Sequence, residues 1–250
     1  MFQGFYNLTS GMLCQNRNLN VISNNMVNVS TAGYKRDQFV DTTFKEAMLD
    51  RTGNKDKGKP SQLGTIAMMK AADQTVTSYE NAGFRMTRSP LDFAINGNGF
   101  FEIQTPQGIR YTRNGSFILD NQGYLALEGV GRVLGHNGGP IHLGTDKIEV
   151  NSTGSIFDKE TGRNLGRIRV VDFADYQAQL VKVDGNLFIG AGGFVTNEKV
   201  VSGALENSNV EAVDEMVNMM SSQRALQSAA TVMTSYDKLI EKIVNNLGPA

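Results

Sequence analysis

Glycine and proline are absent from two long stretches of this 250-residue chain, residues 12–32 and 204–247. Of its 27 glycines, 20 lie in residues 83–203. Both residue types disfavour the interior of a helix, glycine through its backbone entropy and proline through its missing N–H group. The distribution therefore predicts three zones: a helical stretch at each end and a central zone rich in turns.

The amino-terminal stretch has a narrow stripe of mainly apolar residues at alternating steps of four and three. This spacing is typical of a coiled-coil seam, which packs against a partner helix. We expect the helix to end between Asn25 and Gly33, because asparagine and glycine favour helix ends. The predicted assembly seam of this helix consists of Phe5, Leu8, Met12, Gln15, Leu19, Ile22 and Met26.

The carboxy-terminal stretch repeats the pattern over a longer distance. A capping-box sequence at residues 208–211 predicts its start, and Gly248-Pro249 predicts its end. A helix over 209–247 would be about 58 Å long, so partner helices are a better packing surface for it than the central zone alone. Its predicted seam consists of Met216, Met219, Gln223, Leu226, Ala230, Met233, Ile240, Val244 and Leu247.

Charge separates the two ends and excludes one class of partner. Residues 1–36 carry three basic and no acidic side chains, whereas residues 204–250 carry six acidic and three basic ones, which favours pairing of the ends. The formal net charge of −1 provides no basic surface for nucleic acid. We also expect no membrane insertion and no cleaved signal peptide, since the chain has no apolar run of suitable length and position.

The central zone shows the rhythm of short strands and turns. Phe100, Phe101 and Ile103 precede a turn at residues 106–108, and Asn114-Gly115 is a strong tight-turn signal. Turn signals at intervals of 8–12 residues are typical of a sandwich or barrel. The predicted fold class is α+β: terminal coiled-coil helices pair into one helical domain around a central all-β domain.

The predicted boundaries follow from these zones. The first coiled-coil helix occupies residues 1–33, a loop and extended connector 34–89, the β domain 90–202 and the second coiled-coil helix 203–250.

Candidate chemical sites in the central zone have simpler interpretations. Gly97-Asn98-Gly99 precedes a strand rather than a helix, so a turn is favoured over a phosphate-binding loop. His136 and His142 lack a full set of metal ligands and are interpreted as turn residues. Cys14 is interpreted as a small packing residue. No catalytic, cofactor-binding or metal site is predicted.

Six segments together resemble the bacterial flagellar basal-body rod and hook protein family. Val21–Arg36 resembles the amino-terminal signature, and Pro90–Phe101 and Tyr111–Phe117 resemble the central block. The carboxy-terminal signature is matched by Gly203–Val210, Glu215–Met220 and Gln223–Ala225. The resemblance implies a structural, non-enzymatic subunit of the rod in the basal body, of the proximal or distal type. It also implies that the terminal helices polymerise into the axial tube that transmits torque from motor to hook.

The partners implied by the resemblance are further copies of the chain in a homo-polymer, other axial rod and hook proteins, and the flagellar type III export apparatus. Export without a cleaved signal peptide is part of the same expectation. The residues alone leave two alternatives open: an oligomeric extracellular binding module, and a structural protein of the phage tail or baseplate kind.

Overall fold

The computed structural model describes residues 2–51, 61–151, 153–183, 186–196 and 198–247. Its architecture is α+β, with a helix at each end and a strand-rich middle, as the sequence predicts at this coarse level. The chain forms two compact units. Unit 1 contains residues 1–26, 37–76 and 212–250, and unit 2 contains residues 27–36 and 77–211.

The terminal helices are long. Helix α1 spans Phe2–Val27 and α3 spans Ala212–Leu247, while the short α2 spans Tyr176–Gln179. Helix α1 ends inside the predicted window. The predicted capping box at residues 208–211 is wrong, because α3 begins only at Ala212. Gly248 and Pro249, which were expected to end α3, lie outside the described residues.

Two long strands follow α1 along the chain. Strand β1 spans Asp37–Arg51 and β2 spans Ser61–Thr77, and the two pair in a sheet of their own. They occupy most of the stretch predicted as a loop and extended connector. Residues 52–60, the polar part of that stretch, lie outside the described residues.

The remaining strands are short and antiparallel. In chain order, β3 to β10 are Phe84–Met86, Phe93–Asn96, Phe100–Thr105, Gly108–Thr112, Phe117–Leu119, Leu125–Leu127, Gly131–Val133 and Ile148–Val150. Strands β11 to β18 are Ser155–Asp158, Asn164–Arg167, Val170–Asp172, Leu180–Val183, Leu187–Gly190, Phe194–Thr196, Lys199–Ser202 and Ala204–Glu206.

Among the described residues, the largest sheet has the strand order β14-β15-β6-β5-β9-β8-β7, with β13 beside β5 and β16 beside β13. A smaller sheet has the order β10-β11-β12, and β17 pairs with β4 and β18 with β3. The turn predicted at residues 106–108 joins the paired strands β5 and β6. Strands β6 and β7 do not pair with each other, so Asn114-Gly115 does not close a hairpin.

Strand β5 separates two hydrophobic cores. Successive side chains on a strand point to opposite faces, and Phe100 and Phe101 accordingly enter different clusters. Phe101 lies in the larger, mainly aliphatic cluster with Phe93 and Ile103. Phe100 lies in a mainly aromatic cluster with Tyr111 and Phe188. Both faces of β5 are therefore buried, which makes this strand the centre of unit 2.

Gly115 is required by close packing rather than by a turn. A Cβ atom at this position would overlap the carbonyl oxygen of Phe93. Because backbone rather than a flexible side chain occupies that space, we expect Gly115→Ala to lower the free energy of unfolding by about 1–3 kcal/mol. The matched control is Gly139→Ala, since nothing lies within 4 Å of a Cβ there. Urea unfolding measures the stability of both variants. If Gly115→Ala is as stable as Gly139→Ala, Gly115 is not required by close packing.

Candidate functional site

Three contacts join α1 and α3 within unit 1. Asn18 Nδ2 donates to Ser222 Oγ at 3.2 Å, and Asn25 Nδ2 lies 3.4 Å from Glu215 Oε1. A Cβ built on Gly4 would lie 3.1 Å from the hydroxyl oxygen of Tyr236. From Gly4 to Asn18 to Asn25 the contacts advance by 14 and then 7 residues along α1. Their partners on α3 move back by the same numbers of residues, from Tyr236 to Ser222 to Glu215. The two helices therefore run antiparallel, with contact positions at multiples of seven residues.

The surface of α3 that contacts α1 has a regular spacing of four and three residues. Glu215 and Ser222 are buried on it, and its other members are half-buried. The members of this inner stripe are Glu215, Met219, Ser222, Leu226, Ala229, Met233 and Tyr236.

The predicted seam of α3 shares only part of this stripe. Its members Met219, Leu226 and Met233 are half-buried on the inner stripe. The remaining members with described side chains are exposed: Met216, Gln223, Ala230 and Ile240. The side chains of Val244 and Leu247 lie outside the described part of the structure. The apolar pattern thus spans both the surface that contacts α1 and an exposed surface beside it.

The predicted seam of α1 lies mostly in partly covered positions. Ile22 is buried, Phe5 is exposed, and the others are half-buried: Leu8, Met12, Gln15, Leu19 and Met26. Cys14 is buried, in agreement with a packing role.

Polar residues of the helix pair lie outside the predicted apolar seams. The Asn25 side chain donates to the carbonyl oxygen of Asp37 at 2.8 Å and accepts from its N–H at 3.0 Å. Glu215, whose side chain is near Asn25, lies in the first turn of α3, where the helix dipole favours a negative charge. The seven-residue spacing between Asn18 and Asn25, matched by Glu215 and Ser222, was the available signal.

Large apolar side chains remain exposed on both terminal helices. On α1, Leu13 is 58 % exposed. On α3, Val213 is 74 % and Met216 54 % exposed. Further exposed apolar residues on α3 are Val217, Met220, Val232, Leu239, Ile240 and Ile243. Exposed apolar surface of this extent is typical of a protein–protein contact.

A buried charge cluster lies in unit 2. Lys35 Nζ donates to Glu206 Oε1 at 2.8 Å and to the Glu80 carbonyl oxygen at 2.7 Å. Arg113 Nη1 donates to Glu206 Oε2 at 3.1 Å, and its Nη2 donates to the carbonyl oxygen of Gly97 at 2.8 Å. The three charged side chains are at most 3 % exposed. Burial lowers the pKa of Lys35, and the Glu206 carboxylate opposes that shift.

Backbone bonds close around this cluster and hold residues 33–36 beside residues 206–209. Gly33 N donates to Glu206 O at 2.8 Å, and Asn209 N donates to Tyr34 O at 3.3 Å. Arg36 N donates to the Asn209 side-chain oxygen at 2.6 Å. We call these two segments with the charge cluster the clasp. Gly33 has φ +64°, and a Cβ there would overlap the backbone of Arg113, so the position requires glycine.

The clasp explains why the predicted capping box does not form. The Asn209 side chain bonds Arg36 N through its oxygen and Ser78 O through its nitrogen. Its backbone N–H is also engaged by Tyr34. These bonds hold residue 209 outside a helix.

The candidate chemical sites of the sequence lie in loops. Gly97 and Gly99 have positive φ values between β4 and β5. His136 and His142 line an open cleft of about 1020 Å³, and the His142 ring meets the Tyr124 ring edge-on at 5.0 Å. No group of three or more metal-binding side chains is found within the described ranges. No described helix is long and apolar enough to cross a membrane.

Three family models match the chain in order along its length. The model described as "Flagella basal body rod protein" matches residues 5–35. The model "Flagellar hook protein FlgE/F/G D1 domain" matches residues 94–158. The model "Flagellar basal body rod FlgEFG protein C-terminal" matches residues 201–247. Together they cover both terminal helices and much of unit 2.

A relative that matches almost end to end decides the family. The chain is 33 % identical to the flagellar basal-body rod protein FlgG of Bacillus subtilis, across 98 % of this chain and 99 % of that protein. This chain belongs to the flagellar basal-body rod protein family. It is also 30 % identical to the rod protein FlgF of Caulobacter vibrioides, across 93 % of this chain and 92 % of that protein. The FlhO hook-basal body complex protein of Bacillus subtilis is 27 % identical, across 99 % of both chains.

Membership of the rod protein family confirms the resemblance in the sequence. It also confirms the structural role in the basal-body rod and the association with other flagellar axial proteins at the level of the family. Rod proteins named FlgG and FlgF both occur among the relatives.

Proposed function

We propose that this chain polymerises through α1 and α3 into the axial tube of the flagellar rod, where it transmits torque from motor to hook. One observation carries the proposal: large apolar side chains are exposed along the terminal helices, among them Leu13, Val213 and Met216. The exposed surface of α3 is the surface that a neighbouring subunit covers. The role is structural rather than catalytic.

The helix pair within one chain is a coiled coil in this proposal. The spacing of four and three along the inner stripe of α3 and the antiparallel contacts with α1 support it. Neighbouring chains add further helices beside the exposed residues, so that the inner stripe and the exposed part of the seam are both covered. Burial of each large apolar side chain contributes roughly 1.5–3 kcal/mol to such an assembly.

The proposed partners are other copies of the chain, the adjoining axial proteins and the flagellar export apparatus. Opposite charges on the two terminal segments favour contacts between the ends of neighbouring chains.

Limited proteolysis tests which part of the chain assembly covers. In the monomer we expect trypsin to cut first at basic residues exposed on the helices, because few tertiary contacts hold these segments. Those sites are Arg17, Arg224, Lys238 and Lys242. In the polymer we expect at least a tenfold slower cleavage there. A chain carrying Met233→Asp at the same concentration is the control and should remain as sensitive as the monomer. Equal cleavage of monomer and polymer would contradict the proposal.

A further inference from the structure

The clasp and the helix pair bring the same two parts of the chain together at successive points. In the clasp, Gly33 bonds Glu206, and in the helix pair Asn25 contacts Glu215. Asn25 lies eight residues before Gly33, and Glu215 lies nine residues after Glu206. The two segments that leave the clasp therefore reach the helices with matching lengths.

The helices alone discriminate poorly between registers. The large apolar residues of the inner stripe, Met219, Leu226 and Met233, recur every seven residues. A slip by one heptad moves a helix by about 10.5 Å and again places apolar residues opposite the same face of α1. A slip in one direction would also place Glu215 beside Asn18 instead of Asn25, so even this polar contact has an equivalent replacement.

We propose that the clasp sets the register in which α1 pairs with α3, which rests on the helix pairing of the proposed function. By holding residues 33–36 beside residues 206–209, it reduces the chain that separates Asn25 from Glu215 from about 190 residues to about 17. Loop-closure entropy then raises the effective concentration of the two helices for each other roughly 40-fold. The short segments between clasp and helices cannot accommodate a heptad slip without unwinding a helix turn.

The charge cluster gives the clasp the rigidity this role requires. Two cations share the Glu206 carboxylate, and each also donates to a backbone carbonyl, that of Glu80 or Gly97. Charge-assisted hydrogen bonds of this kind are stronger than neutral ones and fix the geometry of the groups that they join. Lys35, Arg113 and Glu206 are thus positioning residues for the helices.

Disulfide trapping in the full chain measures the register. With Cys14→Ser as background, one variant carries Asn18→Cys and Ser222→Cys, the contact seen in the structure, and a second carries Asn18→Cys and Ala229→Cys, one heptad away. Glutathione buffer gives the effective concentration of each thiol pair. With the clasp intact we expect the effective concentration of the first pair to be at least ten times that of the second.

Uncoupling the clasp should remove this preference. An eight-residue Gly-Ser insertion between Val29 and Ser30 separates the clasp from α1 without touching its contacts, and Asn209→Ala weakens the clasp itself. We expect the ratio of the two effective concentrations, that of the first cysteine pair over that of the second, to fall at least fivefold with the insertion. The control is the same insertion between Pro106 and Gln107, at the tip of the β5–β6 turn, which should leave the ratio unchanged.

An unchanged ratio with the insertion at residue 29 would overturn the proposal, whatever the result for Asn209→Ala. The test is separate from that of polymerisation. A clasp-dependent ratio in a chain that forms no tubes would reject the assembly function and leave the role of the clasp intact. If the chain forms tubes but the insertion leaves the ratio of effective concentrations unchanged, the assembly function is supported and the role of the clasp is rejected.

Discussion

Glu206→Ala is expected to lower the free energy of unfolding of unit 2 by about 3–5 kcal/mol, the usual cost of removing one partner of a buried ion pair. The substitution leaves Lys35 and Arg113 buried without their shared carboxylate. Their mutual repulsion is then no longer balanced, and two hydrogen bonds from charged donors are lost. Urea unfolding followed by circular dichroism measures the change.

Lys35→Met is the matched control for that experiment. It removes one cation and leaves the Arg113–Glu206 pair, so the charge of the cluster becomes balanced. The large cost of breaking a buried ion pair comes from the uncompensated charge that remains, and Lys35→Met leaves none because Arg113 still pairs with Glu206. We therefore expect a much smaller loss than for Glu206→Ala. Equal losses for the two variants, or a loss below about 0.5 kcal/mol for Glu206→Ala, would show that the cluster does not stabilise the unit through charge pairing.

Leu19→Asp and Met233→Asp are expected to abolish assembly while unit 2 stays folded. Both side chains are half-buried on the helices, and the polymer is proposed to cover them further. Moving an unpaired carboxylate into apolar surroundings costs several kcal/mol, so the critical concentration for assembly should rise at least about 100-fold. Sedimentation of polymer from monomer at increasing protein concentration measures it.

The matched controls for assembly are Leu19→Met and Met233→Leu. Each keeps an apolar side chain of similar volume, for which a change below about 1.5 kcal/mol is usual. These variants should assemble at close to the unmodified concentration. If the aspartate variants assemble as readily as the controls, the seam residues do not lie at a subunit contact.

The terminal helices were predictable because their signal is local. Long stretches without glycine or proline and a spacing of three and four residues determine α1 and α3 through neighbouring turns of one helix. The hairpin of β5 and β6 was predictable for the same reason, since its turn at residues 106–108 lies between two apolar strands.

The clasp depends on contacts between residues that are far apart in the chain. Lys35 and Glu206 both lie in segments that resemble family signatures, yet 171 residues separate them, and no local pattern predicts their contact. The capping box failed because Asn209 bonds to Arg36 and Ser78 instead of a helix end. The polar heptad positions, Asn18 and Ser222 among them, could not be predicted from the spacing of apolar residues alone.

Cryo-electron microscopy of the assembled full-length chain tests the central claim most directly. We expect helical tubes in which α1 and α3 form the contacts between subunits. Side chains exposed in the single chain, such as Met216 and Ile240, should be buried in these tubes. Small closed oligomers, or tubes joined only through unit 2 with both helices still exposed to solvent, would contradict it.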